Sequence, residues 1–228
     1  MKILAIDTSS PVASAAVMVD SNLVGEYVIS NGKTHSQIII PLISDMLTKA
    51  GISVDEIDVF AVSLGPGSFT GLRIGIATAK SFAQALNKKI IGISALDSLH
   101  ANLPCGNDLF ICPIMDARRG NVYNSIYKNG IKLKDDRLIN INEVLEEVSG
   151  NQTIFLGDGI LKHKETIVSV MGDNAIFAPA NLSMQKSSSV AFLANQRAMN
   201  GEFDNIYSLE PVYVRASQAE RELTGEKD

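Results

Sequence analysis

Several kinds of residue are scarce in this chain, and each scarcity removes a class of function. There are two cysteines in 228 residues, Cys105 and Cys112, and they do not form a C-x-x-C pair. The three histidines, His35, His100 and His163, never fall three or four residues apart, so no helix offers two of them to one metal. With so few soft ligands a zinc centre is not expected, and the cysteines read as reduced thiols of a cytoplasmic protein. No long basic stripe is present. The basic residues come in small groups, Lys88-Lys89, Arg118-Arg119 and Lys128, Lys132, Lys134, and the formal net charge is −5. Tight unaided nucleic-acid binding, which draws on phosphate neutralisation, is therefore disfavoured. Apolar runs are short. Asp7 interrupts the first one before it reaches the length of a signal sequence, and none approaches a membrane span, so no membrane association is expected.

What is present is an ordinary globular balance, 46% hydrophobic and 20% charged, long enough to bury a core without disulfides or metals. The pattern predicts strands over 2–6, 12–19 and 23–29 with tight turns between them, which is an antiparallel meander. The Ala13-Ser14-Ala15-Ala16 run suggests that something packs close to the second strand. A helix over 36–49 follows, with Gly51 as its C-terminal cap. Pro41 either bends this helix or marks a late start. Then come a strand over 57–64, a helix over about 70–86 and a strand over 90–93. The second half repeats the order: strands over 109–115, 121–127 and 131–137, with Asn129-Gly130 as a hairpin turn. A short helix over 142–148, a strand over 153–156, a Gly157-Asp158-Gly159 turn into a further helix, and a helix over 187–199 capped from Ser187 to Ser189 complete it. The repeated order predicts an α/β protein of two duplicated lobes with mixed sheets. The first lobe is expected over 1–104, with the helix 187–200 returning to it. The second is expected over 105–186, and a charged tail fraying from 218 closes the span 201–228.

The most specialised stretch is Gly65-Pro66-Gly67-Ser68-Phe69-Thr70-Gly71-Leu72-Arg73-Ile74-Gly75, at a strand-to-helix corner. It is neither a Walker A loop nor a dinucleotide fingerprint. Amides at such a corner could face a phosphate. The spacing favours packing instead, because Gly71, Gly75, Ala79 and Ala83 recur every four residues as one ridge of small side chains. Two glycines inside a helix cost about 1 kcal/mol each against alanine, and close backbone approach is the usual offset. Leu72, Ile76 and Phe82 line the opposite flank, so this helix has two packing faces. The 36–49 helix likewise carries more apolar residues than one core face requires. Either it is sandwiched within the monomer or one face meets another protein.

Asp7, Thr8 and Ser9 at the end of the first strand could hold magnesium and orient phosphates, with Gly65 and Gly67 opposite. A turn-forming aspartate is the plainer alternative. Asp116 ends its strand as Asp7 does, but Ala117-Arg118-Arg119 replaces the small residues of a phosphate loop, so only one of two phosphate clamps is plausible. No Ser/His/Asp triad can be argued from spacing.

The chain resembles the TsaB (YeaZ) family. The resemblance rests on Ile6-Asp7-Thr8-Ser9, Thr34-His35-Ser36 leading to Pro41-Leu42-Ile43, the glycine corner, and Gly92-Ile93-Ser94-Ala95-Leu96-Asp97. Asp116-Ala117-Arg118-Arg119-Gly120-Asn121-Val122-Tyr123 and Pro211-Val212-Tyr213-Val214-Arg215 extend it across nearly the whole chain. It implies two ribonuclease-H-like lobes of the actin-like ATPase and Hsp70 type. It also implies a part in tRNA threonylcarbamoyladenosine synthesis beside a catalytic paralogue, TsaD. In TsaD a metal-binding His-x-x-x-His follows the position of residues 94–100. Here His100 has Leu96 and Pro104 four residues to either side.

The resemblance thus implies a non-catalytic subunit without metal ligands. It would bind TsaD through the 36–49 and 70–86 helices, with Ile39, Leu42, Ile43, Met46, Gly71, Gly75, Thr78 and Phe82 as interface candidates. A leucine at Gly75 is expected to weaken that association. TsaE, an ATPase, would join the complex, and tRNA would be met through it. ATP or ADP at the subunit junction is the candidate cofactor, and a homodimer is expected when the chain is alone. Two other readings stand: an ATP-dependent small-molecule kinase or ATPase of the same fold, motivated by Asp7 and the 157–159 turn, and a glycoprotease-like hydrolase.

Overall fold

The computed structural model describes residues 1–104 and 108–214. Cys105, Arg215 of the 211–215 motif and the tail expected to fray from 218 lie outside the described residues.

Two five-stranded mixed sheets share one wiring. In the first, β1 (Lys2–Asp7), β2 (Ala13–Val19) and β3 (Asn22–Ile29) form the expected antiparallel meander, and β4 (Val59–Gly65) and β5 (Lys89–Ser94) continue parallel to β1, in the order β3-β2-β1-β4-β5. In the second, β6 (Phe110–Asp116), β7 (Asn121–Lys128) and β8 (Ile131–Asn140) are antiparallel neighbours, and β9 (Thr153–Leu156) and β10 (Ala175–Phe177) run parallel to β6, in the order β10-β9-β6-β7-β8. Each sheet therefore reads third-second-first-fourth-fifth. Asn129 and Gly130 both take positive φ, 52° and 76°, as a two-residue hairpin of their type requires.

β1 is an unbroken apolar run because both of its faces are covered. On one side Leu4 and Ile6 meet Ile39, Met46 and Leu72 from α1 (His35–Ala50) and α2 (Phe69–Ala85). On the other, Ile3 and Ala5 meet Val190, Ala191 and Ala194 from α6 (Ser187–Met199). The small residues of β2 let α6 approach, and the Ser14 and Ser187 hydroxyls bond at 2.8 Å. That bond corrects the expected capping. Ser187 is already helical and its hydroxyl is engaged by Ser14, while the cap position falls on Lys186 with no side-chain cap bond. Gly51 ends α1 in the left-handed conformation as expected, and Pro41 lies inside the helix rather than at its start.

Two elements escape the pattern. α3 (Ala95–His100) is a six-residue helix whose first amides, Leu96 N and Asp97 N, bond the Ser94 hydroxyl. It packs Leu96 and Leu99 against Ile111, Tyr127 and Leu156 of the second sheet, so it joins the two lobes. β10 is three residues long and only half-buried. α4 (Ile141–Glu147) and α5 (Ile160–Met171) cover the second sheet with Val144, Leu145 and Ile167.

Candidate functional site

The glycine corner is filled by the chain itself. Gly65, at the end of β4, has φ 104°, and Ser68 caps α2 by accepting from Gly71 N at 3.2 Å. A Cβ on Gly67 would lie 2.1 Å from Ser9 O. One on Gly71 would lie 2.1 Å from Thr8 O, and one on Gly75 2.4 Å from Thr8 Oγ1. The ridge of small residues is the seat of the loop that follows β1. Ser68 N donates to Ser9 O at 2.7 Å and Thr8 Oγ1 donates to Gly71 O at 2.8 Å, which locks loop and helix together.

Asp7 is sealed beneath that loop. Its Oδ1 accepts from Ser9 N at 2.8 Å and Ser9 Oγ at 2.7 Å. Its Oδ2 is buried with no hydrogen-bond partner among the described residues. The Ser63 hydroxyl lowers the pKa from nearby and has no hydrogen-bond partner among the described residues. Burial pushes the carboxyl above its usual range despite the bonds from Ser9. The residues read as a phosphate site, Asp7, Thr8, Ser9, Gly65 and Gly67, are thus brought together, but into contact with one another. Ser9 O occupies the place beside Gly67 that a phosphate would need, and Val212 O and Leu72 crowd Gly65.

The second lobe keeps its acidic end open. Asp116 Oδ1 accepts from Arg118 N at 3.0 Å, and its carboxylate is ion-paired to Lys162. Asp158 Oδ1 accepts from Asp116 N at 3.2 Å. Burial, with the Asp116 charge adding to it, pushes the Asp158 carboxyl up to about 6. Arg118, Arg119 and Gly120 turn the chain through three successive positive-φ residues. Between the lobes lies a cleft of about 850 Å³, walled by the corner and α2 on one side and by Asp116, Arg118 and Asp158 on the other.

Most of the residues read as an interface face inward. Ile39, Leu42, Ile43 and Met46 are buried in the first-lobe core, and Gly71 and Gly75 face Thr8. Thr78 is half-buried with its hydroxyl donating to Ile74 O at 2.8 Å, and Phe82 is half-buried and stacked on Phe60 at 5.6 Å. The period of α1 pointed to its apolar side, and the sheet took that side. The outward face carries Ile40, 48% exposed, with Pro41 and Ser44 on α1 and Ala77 and Ser81 on α2.

His100 is 8% exposed and stacked on Tyr127 with ring centroids 4.0 Å apart. Burial lowers its pKa, and its Nε2 is buried without a hydrogen-bond partner among the described residues. Among the described residues no group of three or more His, Cys, Asp or Glu side chains could hold a metal ion, and no helix is long and apolar enough to cross a membrane.

Two features went unseen in the sequence. Lys132 bridges Asp97 at 2.9 Å and Asp136 at 2.5 Å, tying α3 to β8 across the lobe junction. Arg73 lies over Phe69 with its guanidinium carbon 4.0 Å from the ring centroid, and its Nε donates to Tyr213 OH at 2.9 Å. The i, i+4 spacing of Phe69 and Arg73 was legible. The arrival of Tyr213 from the far end of the chain was not.

The family model for TsaD, tRNA N6-adenosine threonylcarbamoyltransferase, matches residues 23–223. The chain is 33% identical over 228 residues to the tRNA threonylcarbamoyladenosine biosynthesis protein TsaB of Bacillus subtilis, covering 96% of both. It is 30% identical over 243 residues to TsaB of Escherichia coli, covering 100% of both. YeaZ from Pseudomonas aeruginosa superimposes with a TM-score of 0.79 at 24% identity over 93% of this chain and 99% of that one. An inorganic polyphosphate/ATP-glucomannokinase from an Arthrobacter species superimposes with a TM-score of 0.54 at 8% identity, over 87% of this chain and 99% of that one. At those identities the structural likenesses establish the fold, the actin-like ATPase arrangement of two ribonuclease-H-like lobes.

Proposed function

Because the chain belongs to the TsaB (YeaZ) family, paralogous to TsaD and involved in the biosynthesis of tRNA threonylcarbamoyladenosine, we propose that it serves there as a non-catalytic subunit. It docks on TsaD, which transfers the threonylcarbamoyl group from its adenylate to the adenosine beside the anticodon of tRNAs reading codons that begin with A. TsaE joins this pair, and tRNA is met through the assembly. The observation that carries this reading is the occupied corner. Where an enzyme of this fold needs room for a phosphate, the chain's own Thr8 and Ser9 are packed against Gly67, Gly71 and Gly75. Asp7 is closed off from the cleft by the same loop.

The docking surface is the outward face of α1 and α2. The eight residues read from the sequence define these two helices, and their buried members hold the helices to the sheet. Ile40, Pro41, Ala77 and the half-buried Thr78 offer a shallow, uncharged ridge that another pair of helices can pack against. In the absence of TsaD the same ridge pairs two copies of the chain. A leucine at Gly75 would strike Thr8 and report on folding, so it is no longer the probe of choice. A micromolar complex corresponds to about −8 kcal/mol. Ile40→Glu together with Ala77→Arg is expected to weaken binding to TsaD at least about tenfold, with the melting transition unchanged. The cellular test is depletion of the protein followed by nucleoside analysis of bulk tRNA, where threonylcarbamoyladenosine should fall. An undiminished level would remove the assignment.

The kinase or ATPase reading draws support from the fold alone, and no group of metal ligands among the described residues supports a glycoprotease-like hydrolase. ATP turnover at an ordinary rate, lost in Asp7→Ala, would favour the kinase reading over ours.

A further inference from the structure

We infer that the mouth of the inter-lobe cleft is a phosphate site, in which Arg73 and Arg118, one from each lobe, hold the phosphate of a nucleotide unit. Both residues line the same cleft. Two other arginines are neutralised elsewhere: Arg137 by Glu147 at 2.5 Å and Arg197 by Asp204 at 3.1 Å. Arg73 and Arg118 have no carboxylate partner among the described residues, in a chain whose net charge is −5.

Arg73 is preorganised. Its guanidinium lies flat on Phe69 at 4.0 Å, Phe69 stacks on Tyr213 at 4.8 Å, and Tyr213 OH takes only the Nε proton. The two terminal NH2 groups are left with no acceptor among the described residues. A fixed, planar fork of donors suits an oxyanion and loses little entropy on binding one. Arg118 is exposed, and its backbone is held in the left-handed region at φ 66° by the bond from its amide to Asp116 Oδ1. Of the acidic groups lining the cleft, Asp116 is paired to Lys162, and burial pushes the Asp158 carboxyl up to about 6.

Tyr213, 39% exposed, and the guanidinium plane of Arg73 are flat neighbours for a base, which favours a nucleotide over a bare anion. The unit could be free or part of an RNA strand; the phosphate chemistry is the same. This site lies outside the sealed corner and needs neither Asp7 nor a metal. It does not depend on the docking reading, because the isolated chain can be tested.

The experiment uses the full chain in low salt with EDTA, titrated with AMP and separately with a short single-stranded RNA. Arg118→Gln is expected to weaken binding roughly tenfold or more, with Arg118→Lys recovering part of the loss. Arg118 is exposed, so its variant should melt as the parent does. Arg73→Gln should weaken binding similarly, with its stability measured alongside because Tyr213 is released. For RNA, the slope of log K against log salt should become shallower by about 0.7 for each guanidinium removed. Binding of AMP alone assigns a free nucleotide, and tighter binding of RNA assigns a strand. Both outcomes support the site. No binding of either at millimolar ligand, or binding that both glutamine variants leave unchanged, overturns it. So does binding that requires magnesium and is lost in Asp7→Ala.

Discussion

The two lobes are built to one plan and differ at one contact. Each first strand ends in an aspartate, Asp7 or Asp116, and each fourth strand leads into its corner through a glycine of nearly the same φ, 104° at Gly65, the last residue of β4, and 105° at Gly157, the residue after β9. In the first lobe the corner after that glycine closes on Ser9 O, two residues beyond the aspartate. In the second it closes on Ile114 O, two residues before it. A Cβ on Gly157 would lie 2.2 Å from that oxygen and one on Gly159 3.0 Å from it, against 2.1 Å between a Cβ on Gly67 and Ser9 O. The consequence for the aspartates is opposite. Asp7 is covered by the loop the corner grips, whereas the Asp116 side chain stays 17% exposed at the cleft. Moving the contact from a residue before the aspartate to one in the loop beyond it thus separates an accessible carboxylate from a sealed one.

The sharpest way to break this comparison is to add one carbon to each corner. Gly71→Ala, whose Cβ would meet Thr8 O at 2.1 Å, is expected to cost about 3 kcal/mol. Gly159→Ala, with Ile114 O at 3.0 Å, is expected to cost about 1 kcal/mol. Denaturant midpoints measure both, and equal losses would mean that the first corner is not the more tightly seated at its helix. Next comes the junction between the lobes. Lys132→Met leaves Asp97 and Asp136 without their shared cation, at a cost of about 2 kcal/mol. Amide exchange should rise across α3 and β8 and stay constant in α1. A uniform rise would show that the lobes do not open independently.

Smaller still is the effect of Asp158. Its folded pKa, about 6, lies above the ordinary 3.8, so the folded state holds the proton more tightly than the unfolded chain does. Stability associated with this group is full below pH 3.8 and is lost as pH rises through about 6. Asp158→Asn should flatten that window and raise stability at neutral pH by about 1–2 kcal/mol. A variant whose stability still falls across the window to the same degree would place the titration elsewhere. The smallest expected change is in Ile40→Glu, within about 0.5 kcal/mol of the parent, because this side chain already faces solvent. A larger loss in thermal unfolding would show that the outward face of α1 is part of the core.

Local pattern made much of this legible. The meander, the Asn129-Gly130 hairpin, the Gly51 cap and the four-residue ridge of α2 each follow from backbone preferences or side-chain periodicity within a short window. α3 and β10 were missed because six and three residues hold too few repeats to show a period. The apolar stripe of α1 was legible, but the partner of that stripe was not. Ile39 and Met46 carry the same spacing whether a sheet or a second protein covers them.

By itself, the order of residues determined the duplicated wiring, the place of the specialised corner and the kinship of the chain, since each is written in contiguous motifs. Only tertiary structure decided what the corner holds, which side of α1 faces the sheet and which arginines find a carboxylate among the described residues. Those outcomes depend on atoms far apart in sequence, such as Thr8 against Gly71 or Arg73 against Tyr213. Steric contact and charge pairing act over a few ångströms of space, regardless of how many residues intervene.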